Sequence, residues 1–405
     1  LYQAILLGSS QPSGFEPLAR FMASVSSRLV FYFPGFDPLD AAAHHRRYER
    51  SAAQSGKTFG LDYGVGPVQE VEAGSRVEAV SISDGQETKS TIYIHDHNSI
   101  ISDLRAPSIW KQILLGFKAG AEIITSGAAF RYFRHAWRFG LFFLFPYLLI
   151  FTGLLFAALI AVLPLLLHVS PFLCLLSVPA AWLFFDKGVI PFSGRFHTLH
   201  LFADWRFALM VGRDEPVARA WIEDKAQKVL LALQTSSDEV LFVSHSMGAS
   251  LALAVAGRVL ELKPDAFDGR NVSFVTLGGA ALQCAFIAKA TRLRDSIGTL
   301  ARHGEVTWFD IQCLSDPIHL YKCNTAHLTG HGDAGQPKIV RIKFKHSLSD
   351  ERYHKNKMNF LRMHRQYVLG SDRKSGFDFT LLTAGPLPAA SFVGLKSDVP
   401  PPAFQ

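Results

Sequence analysis

From residue 139 to residue 185 the chain has no Asp, Glu, Lys or Arg, and His168 is the one ionisable imidazole in the stretch. An ordinary surface helix does not run that far without charge, whereas a bilayer crossing needs about 20 apolar residues. Cysteine is scarce too: Cys174, Cys284, Cys313 and Cys323 stand apart with no Cys-x-x-Cys spacing. That argues against a disulfide framework and a zinc site, and suits a reducing compartment. Neither a Cys/His finger nor an aromatic RNP box is present, so the formal net charge of +7 does not read as nucleic-acid binding. It reads better as attraction to anionic lipid head groups. No internal repeat is evident. The chain starts at Leu1 rather than Met, so the lack of a visible signal peptide concerns these residues alone.

With 405 residues and 49% hydrophobic content there is room for one large α/β domain and something extra. The extra is the uncharged stretch. Residues 140–167 suffice to span a bilayer; a second limb, 172–185, does so only if the turn and residues 189–192 take part. His168-Val169-Ser170-Pro171, with Pro164 just before, reads as the turn between them. A helical hairpin is therefore expected over 131–195. If strands on both sides of it share one sheet, the number of crossings must be even. Arg131, Arg134 and Arg138 before the limbs, and Lys187 and Arg195 after them, place both flanks in the cytoplasm by the positive-inside rule. The plainer alternative is a pair of buried or interfacial helices, because Pro146, Pro164, Pro171 and Pro179 interrupt the limbs.

Outside the hairpin, strand and helix patterns alternate. Residues 28–33 form a buried-strand pattern ending in Pro34-Gly35-Phe36-Asp37-Pro38, and 40–55 look helical. Segments 77–83 and 88–94 alternate around Asp84-Gly85, a strong hairpin signal. Helical spacing marks 104–133, 196–210 and 216–233, the last opened by Pro216. Strands follow at Val272–Leu277, Val306–Cys313 and 338–345, with helices over 282–301 and 350–368. This order implies a mainly parallel sheet with helices on both faces. The expected organisation is an N-terminal part of the domain (1–130), the hairpin (131–195), a C-terminal part (196–384) and a Pro-rich surface tail (385–405).

Residues 239–248 carry the most functional information. An apolar, β-branched run stops abruptly at Ser244-His245-Ser246-Met247-Gly248, and an Ala/Leu-rich helical pattern over 249–262 follows at once. Strand, sharp turn and helix are what a nucleophile elbow requires, because the turn pushes one hydroxyl, here that of Ser246, out at the top of a sheet. The usual pattern is Gly-x-Ser-x-Gly, whose small outer residues let strand and helix pass closely. Ser244 replaces the first glycine and Gly248 keeps the second. The bland alternative is a serine capping an ordinary helix.

A serine acyl-transfer site also needs a base, a carboxylate to orient it, and amide donors for the oxyanion. Candidates occur in the chain order Ser, acid, His. Asp316 follows a strand and precedes Pro317 in a turn; Asp310 competes but lies within the strand pattern. Six histidines follow: His319, His327, His331, His346, His354 and His364. His364 shares a helical face with Phe360, Leu361, Tyr367 and Val368 and so points inward; His354 is the next candidate. One oxyanion donor is the Met247 amide. The other is the amide of Phe36 or Gly35, after the first strand.

Together these stretches resemble the α/β-hydrolase superfamily, and more closely a group of bacterial membrane-associated serine hydrolases. The likeness rests on Phe33-Pro34-Gly35-Phe36-Asp37, the basic-aromatic lead Arg134-His135-Ala136-Trp137-Arg138-Phe139-Gly140, Ser244-His245-Ser246-Met247-Gly248, Ser315-Asp316-Pro317-Ile318 and Met363-His364-Arg365-Gln366-Tyr367. It implies an α/β-hydrolase-like fold interrupted by an inserted transmembrane hairpin, with Ser246, Asp316 and His364 as a triad. Two departures stand out: Ser244 replaces the usual glycine, and His364 sits in a helical pattern where the superfamily histidine usually rides on a loop. The expectation is a membrane-anchored hydrolase on the cytoplasmic face of the inner membrane, cleaving an ester or thioester with a lipophilic acyl part. Its expected partners are the lipid bilayer and that substrate, with no nucleic acid and no cofactor. The scheme requires Ser246 to be accessible with an imidazole beside it. A rival is a catalytically silent hydrolase fold serving as a membrane scaffold. A carrier gains little support from limbs without an intramembrane charge.

Overall fold

The structure, a computed structural model, describes residues 24–405; residues 1–23 of the expected N-terminal part lie outside the described residues. The strands are β1 (Ser27–Phe33), β2 (Asp62–Val65), β3 (Gln69–Val71), β4 (Gly74–Ser83), β5 (Gln86–Ile94), β6 (Glu239–His245), β7 (Val272–Leu277), β8 (Val306–Cys313) and β9 (Lys338–Ile342). They make one sheet in the order β2-β4-β5-β1-β6-β7-β8-β9, with β3 also paired to β4. From β5 to β9 all neighbours are parallel, whereas β4 runs antiparallel to β2, β3 and β5. Asp84 and Gly85 both take positive φ, the conformation a tight two-residue hairpin turn needs.

Because successive strand residues point to opposite faces, β1 feeds two cores: Leu29, Phe31 and Phe33 enter one, Val30 and Tyr32 the other. The first is covered by α1 (Asn98–Arg105), α2 (Ile109–Thr125), α3 (Ala128–His135), α4 (Trp137–Leu166), α5 (Pro171–Gly194), α6 (Thr198–Gly212), α7 (Pro216–Ala232), α8 (Gly248–Leu262) and α9 (Thr291–Arg302). The helix Ala41–Phe59 and the C-terminal segments cover the second. Helices on both faces of a mostly parallel sheet are thus as expected.

β1 and β6 pair from Arg28↔Glu239 to Phe33↔Ser244, so chain from before and after the apolar insertion forms adjacent strands. Both flanks therefore belong to one body and lie on the same side of any membrane that the insertion crosses. α4 and α5 are each long and apolar enough to do so. His168, at φ 52°, turns the chain between them. Pro146 and Pro164 sit inside α4 and Pro179 inside α5 without ending either helix. The two pack closely: a Cβ on Gly153 would come within 2.3 Å of Val189 Cγ1. Ser177 Oγ also donates to the Ala161 carbonyl at 2.8 Å. The N-terminal half of α4 is held by the domain, where Phe139, Phe142 and Phe143 surround Trp205 of α6.

Several sequence expectations are corrected. The helix expected over 350–368 is two short helices, α10 (Asp350–Asn356) and α11 (Phe360–His364), followed by a 3₁₀ turn over Arg365–Val368. Asn359 causes the restart, its side chain accepting the Arg362 N–H at 3.0 Å. The strand expected over 338–345 ends at Ile342, beyond which the Lys343 N–H donates to Ser397 Oγ. The helix expected over 282–301 is likewise split into Ala281–Ala285 and α9. The chain from 385 onward is not a surface tail. Ala389, Phe392 and Phe404 are buried in the second core, and Arg28 donates to the Gly385 and Leu387 carbonyls. Those apolar anchors are few enough for Pro and Ala to dominate the composition.

Candidate active site

The elbow forms because two backbones need to cross. A Cβ on Gly248 would lie 2.2 Å from the Phe33 carbonyl and 2.4 Å from that of Pro34, so only glycine lets α8 start against the end of β1. Ser244 is tolerated in the other small position, its hydroxyl donating to the Val275 carbonyl of the neighbouring strand at 3.3 Å. Between them Ser246 takes φ 53°, a left-handed conformation that costs a non-glycine residue about 1–3 kcal/mol and persists where the surroundings impose it. Gly35 packs directly on this turn: a Cβ there would meet His245 Nδ1 at 2.9 Å and Ser246 Cβ at 3.1 Å.

Asp316 leaves the end of β8. Its Oδ1 accepts the Ile318 N–H at 3.0 Å, and its Oδ2 lies 2.7 Å from His364 Nδ1. A carboxylate there favours the proton on Nδ1, leaving the Nε2 lone pair free to accept one. His364 Nε2 is buried and has no hydrogen-bond partner among the described residues. His319 presents Nδ1 to the same Asp316 Oδ2 at 3.2 Å. Burial pushes the Asp316 acid up, but the neighbouring imidazoles of His364 and His319 outweigh it and hold the carboxyl well below the usual carboxylate range. Tyr367 ties the histidine-bearing segment to the acid, its hydroxyl accepting the Cys313 N–H at 2.8 Å.

Ser246 and His364 line one cavity of about 50 Å³ together with Gly35, Phe36, His200 and Asp204. Here an expectation fails. Ser246 as a residue is only 7% exposed, and Phe142 of α4, Leu201 of α6 and Leu361 of α11 are among the side chains that line its cavity. At about 10–15 Å³ of such space per water, the cavity holds a few waters. The amides of Met247, Phe36 and Gly35 donate to no acceptor among the described residues. His354 is exposed and interacts with its own helix, Nδ1 lying 2.7 Å from the Asp350 carbonyl. Asp310 is buried on β8, where it accepts from Gln312 Nε2 at 2.7 Å. Neither reaches the cavity.

Three features escape a reading of the sequence. His245, the middle residue of the elbow, is fully packed in and places Nε2 3.0 Å from the His364 carbonyl. Burial, and then the nearby His364, push its pKa down to about 3, so it grips the His364 backbone as a neutral ring. Asp37 accepts from Arg47 at 2.8 Å and from Arg365, next to His364, at 2.8 Å. Burial alone would raise its acid, yet Arg365 and Arg47 hold it well below the usual range. It thereby fastens the Gly35-Phe36 loop to the histidine segment, a link joining residues far apart in sequence.

The third feature is Asp204 of α6, 6% exposed, whose Oδ2 accepts from Gln283 Nε2 at 2.8 Å while Oδ1 is buried without a partner among the described residues. The one local sign is an acid between Leu201 and Ala208 on an apolar helix face. Burial raises its pKa from 3.8 to about 7, with only the Gln283 hydrogen bond opposing. An acid raised on folding binds more protons in the folded state. Its stabilising contribution is complete below about pH 4 and is lost as pH rises towards about 7. Asp204→Asn is therefore expected to raise the melting temperature in detergent more at pH 8 than at pH 5. Equal shifts at both would contradict the unpaired buried acid. No family model matches this chain, and neither a curated protein nor a solved structure matches it.

Proposed function

We propose that the protein is a membrane-anchored serine hydrolase of the α/β-hydrolase type, acting on an ester or thioester with a lipophilic acyl part. The observation that carries this reading is the 2.7 Å contact of Asp316 with His364, whose other nitrogen has no partner among the described residues and which shares a cavity with the strained Ser246. Ser246 Oγ attacks the acyl carbon while His364 Nε2 takes its proton. The bond to the leaving alcohol or thiol then breaks, and His364 returns the proton to it. Water, deprotonated by the same nitrogen, releases the acid and restores Ser246. The Met247 and Phe36 amides, neither with an acceptor among the described residues, are the proposed donors to the oxyanion.

A lipophilic acyl part is supported by the apolar residues in the cavity wall. Among them Phe142 belongs to α4, one of the two helices apolar enough to enter a bilayer. Basic residues flanking the insertion favour the cytoplasmic face. Treatment with a fluorophosphonate probe, followed by peptide mass spectrometry, tests the reading. The adduct is expected on Ser246 and absent in Ser246→Ala, while Ser391→Ala, at a distant serine, still labels. A folded protein that never labels would leave the scaffold reading in its place.

A further inference from the structure

Asp204 is a carboxyl group that the proposed triad chemistry does not use, yet it lines the same cavity as Ser246 and His364. Among the described residues one of its oxygens has a partner and the other, buried, has none. Leaving a buried polar atom unpaired costs about 1–3 kcal/mol, so an orphan oxygen beside a reactive serine is an expensive feature unless a ligand completes it. Among the described residues no lysine or arginine forms an ion pair with the carboxyl, although Arg365 lines the same cavity; Tyr132, Tyr147 and Cys284, near enough to be influenced by its charge, are neutral in their ordinary state. Gln283, which holds the other oxygen, is itself buried, and its backbone carbonyl accepts the Tyr132 hydroxyl at 2.6 Å.

The rest of the cavity wall is mixed: Phe142, Leu201, Ile318 and Leu361 offer apolar surface that suits an acyl chain, whereas Asp37, His200 and Arg365 are polar. Asp204 adds a buried carboxyl oxygen without a protein partner among the described residues, a group suited to the alcohol half of an ester. We infer that Asp204 is a substrate-recognition residue that hydrogen-bonds a free hydroxyl on the alcohol half, so that the preferred substrate is the ester of a polyol such as a partly acylated glycerol. This rests on the hydrolase reading above. A hydroxyl is the fitting group because it both donates and accepts, and so pairs with the carboxyl in either protonation state. An ammonium pairs only with the ionised form, which burial without a counter-charge disfavours.

The test compares kcat/KM for three esters of one medium-chain fatty acid: the monoglyceryl, the ethyl and the aminoethyl ester. The intact protein is expected to prefer the glyceryl over the ethyl ester by about tenfold or more, since a site built for a hydroxyl discriminates strongly against its absence. Asp204→Leu is expected to abolish that preference, and Asp204→Asn, which still offers a donor and an acceptor, to retain most of it. Should the intact protein hydrolyse glyceryl and ethyl esters alike, or favour the aminoethyl ester, the assignment falls while the hydrolase reading stands. An unchanged preference in a folded Asp204→Leu protein sinks it equally. Absence of both ester hydrolysis and Ser246 labelling in the intact protein would instead remove the hydrolase reading, and this assignment with it.

Discussion

Asp316→Asn is expected to lower kcat for ester hydrolysis by about 10⁴-fold while leaving KM nearly unchanged. The amide is nearly the same size, so the 2.7 Å contact with His364 Nδ1 survives. Its sense is altered. An amide nitrogen placed there donates to Nδ1 and drives the ring proton to Nε2, where the base has to be free. Even with the correct tautomer, no negative charge would remain to stabilise the imidazolium formed as Ser246 loses its proton. His319→Gln should cost less, because His319 approaches the same oxygen at a longer 3.2 Å and does not line the Ser246 cavity. Single-turnover measurements separate the two variants. Asp316→Asn retaining more than about a tenth of the parent rate would show that Asp316 does not orient the base, since triad members lose far more than this when replaced.

The largest expected effect on stability lies away from the cavity. Arg28 Nε and Glu239 Oε2 form an ion pair at 2.7 Å with both side chains wholly shielded from solvent. Arg28 also donates to two carbonyls of the C-terminal segment, at Gly385 and Leu387, and Glu239 Oε1 accepts the Ala389 N–H at 2.8 Å. This single pair therefore binds β1, β6 and the end of the chain. Glu239→Gln leaves a buried guanidinium uncompensated and is expected to destabilise the fold by about 3–5 kcal/mol. The double variant Arg28→Met with Glu239→Leu should be less destabilised than Glu239→Gln, because it strands no charge. Denaturant titration in detergent reads both. If the double variant proved the weaker of the two, the pair would be a net source of stability, contrary to the usual balance of desolvation against attraction.

The cavity that Ser246 and His364 line also takes in Phe142 of α4, so one of the two long apolar helices reaches the proposed site. The first half of α4 is packed against Trp205 of α6.

Much of this molecule is legible in local pattern. The strands Val272–Leu277 and Val306–Cys313 have the bounds their apolar runs indicate, since a parallel strand buried on both faces is apolar throughout. The Asp84-Gly85 turn and the elbow at Ser246 follow from backbone conformations that few residues permit. The uncharged stretch determined two long apolar helices because hydropathy is additive along a segment. Asp316 and His364 were legible as candidates from chain order and from the inward face of the histidine.

What tertiary structure alone decided are relations between distant segments. Beyond the restart at Asn359, His364 meets Asp316 across 48 positions of sequence. Asp37 joins Arg365, Arg28 joins the C-terminal segment, and Asp204 enters the cavity from a helix whose sequence reads as mostly apolar. Burial of Ser246 belongs to the same class. Exposure depends on what packs from elsewhere in the chain, and no local pattern encodes it. Backbone preference and hydropathy act within a few residues and are written into them, whereas the pairing of buried polar groups is settled only when separate elements exclude water together.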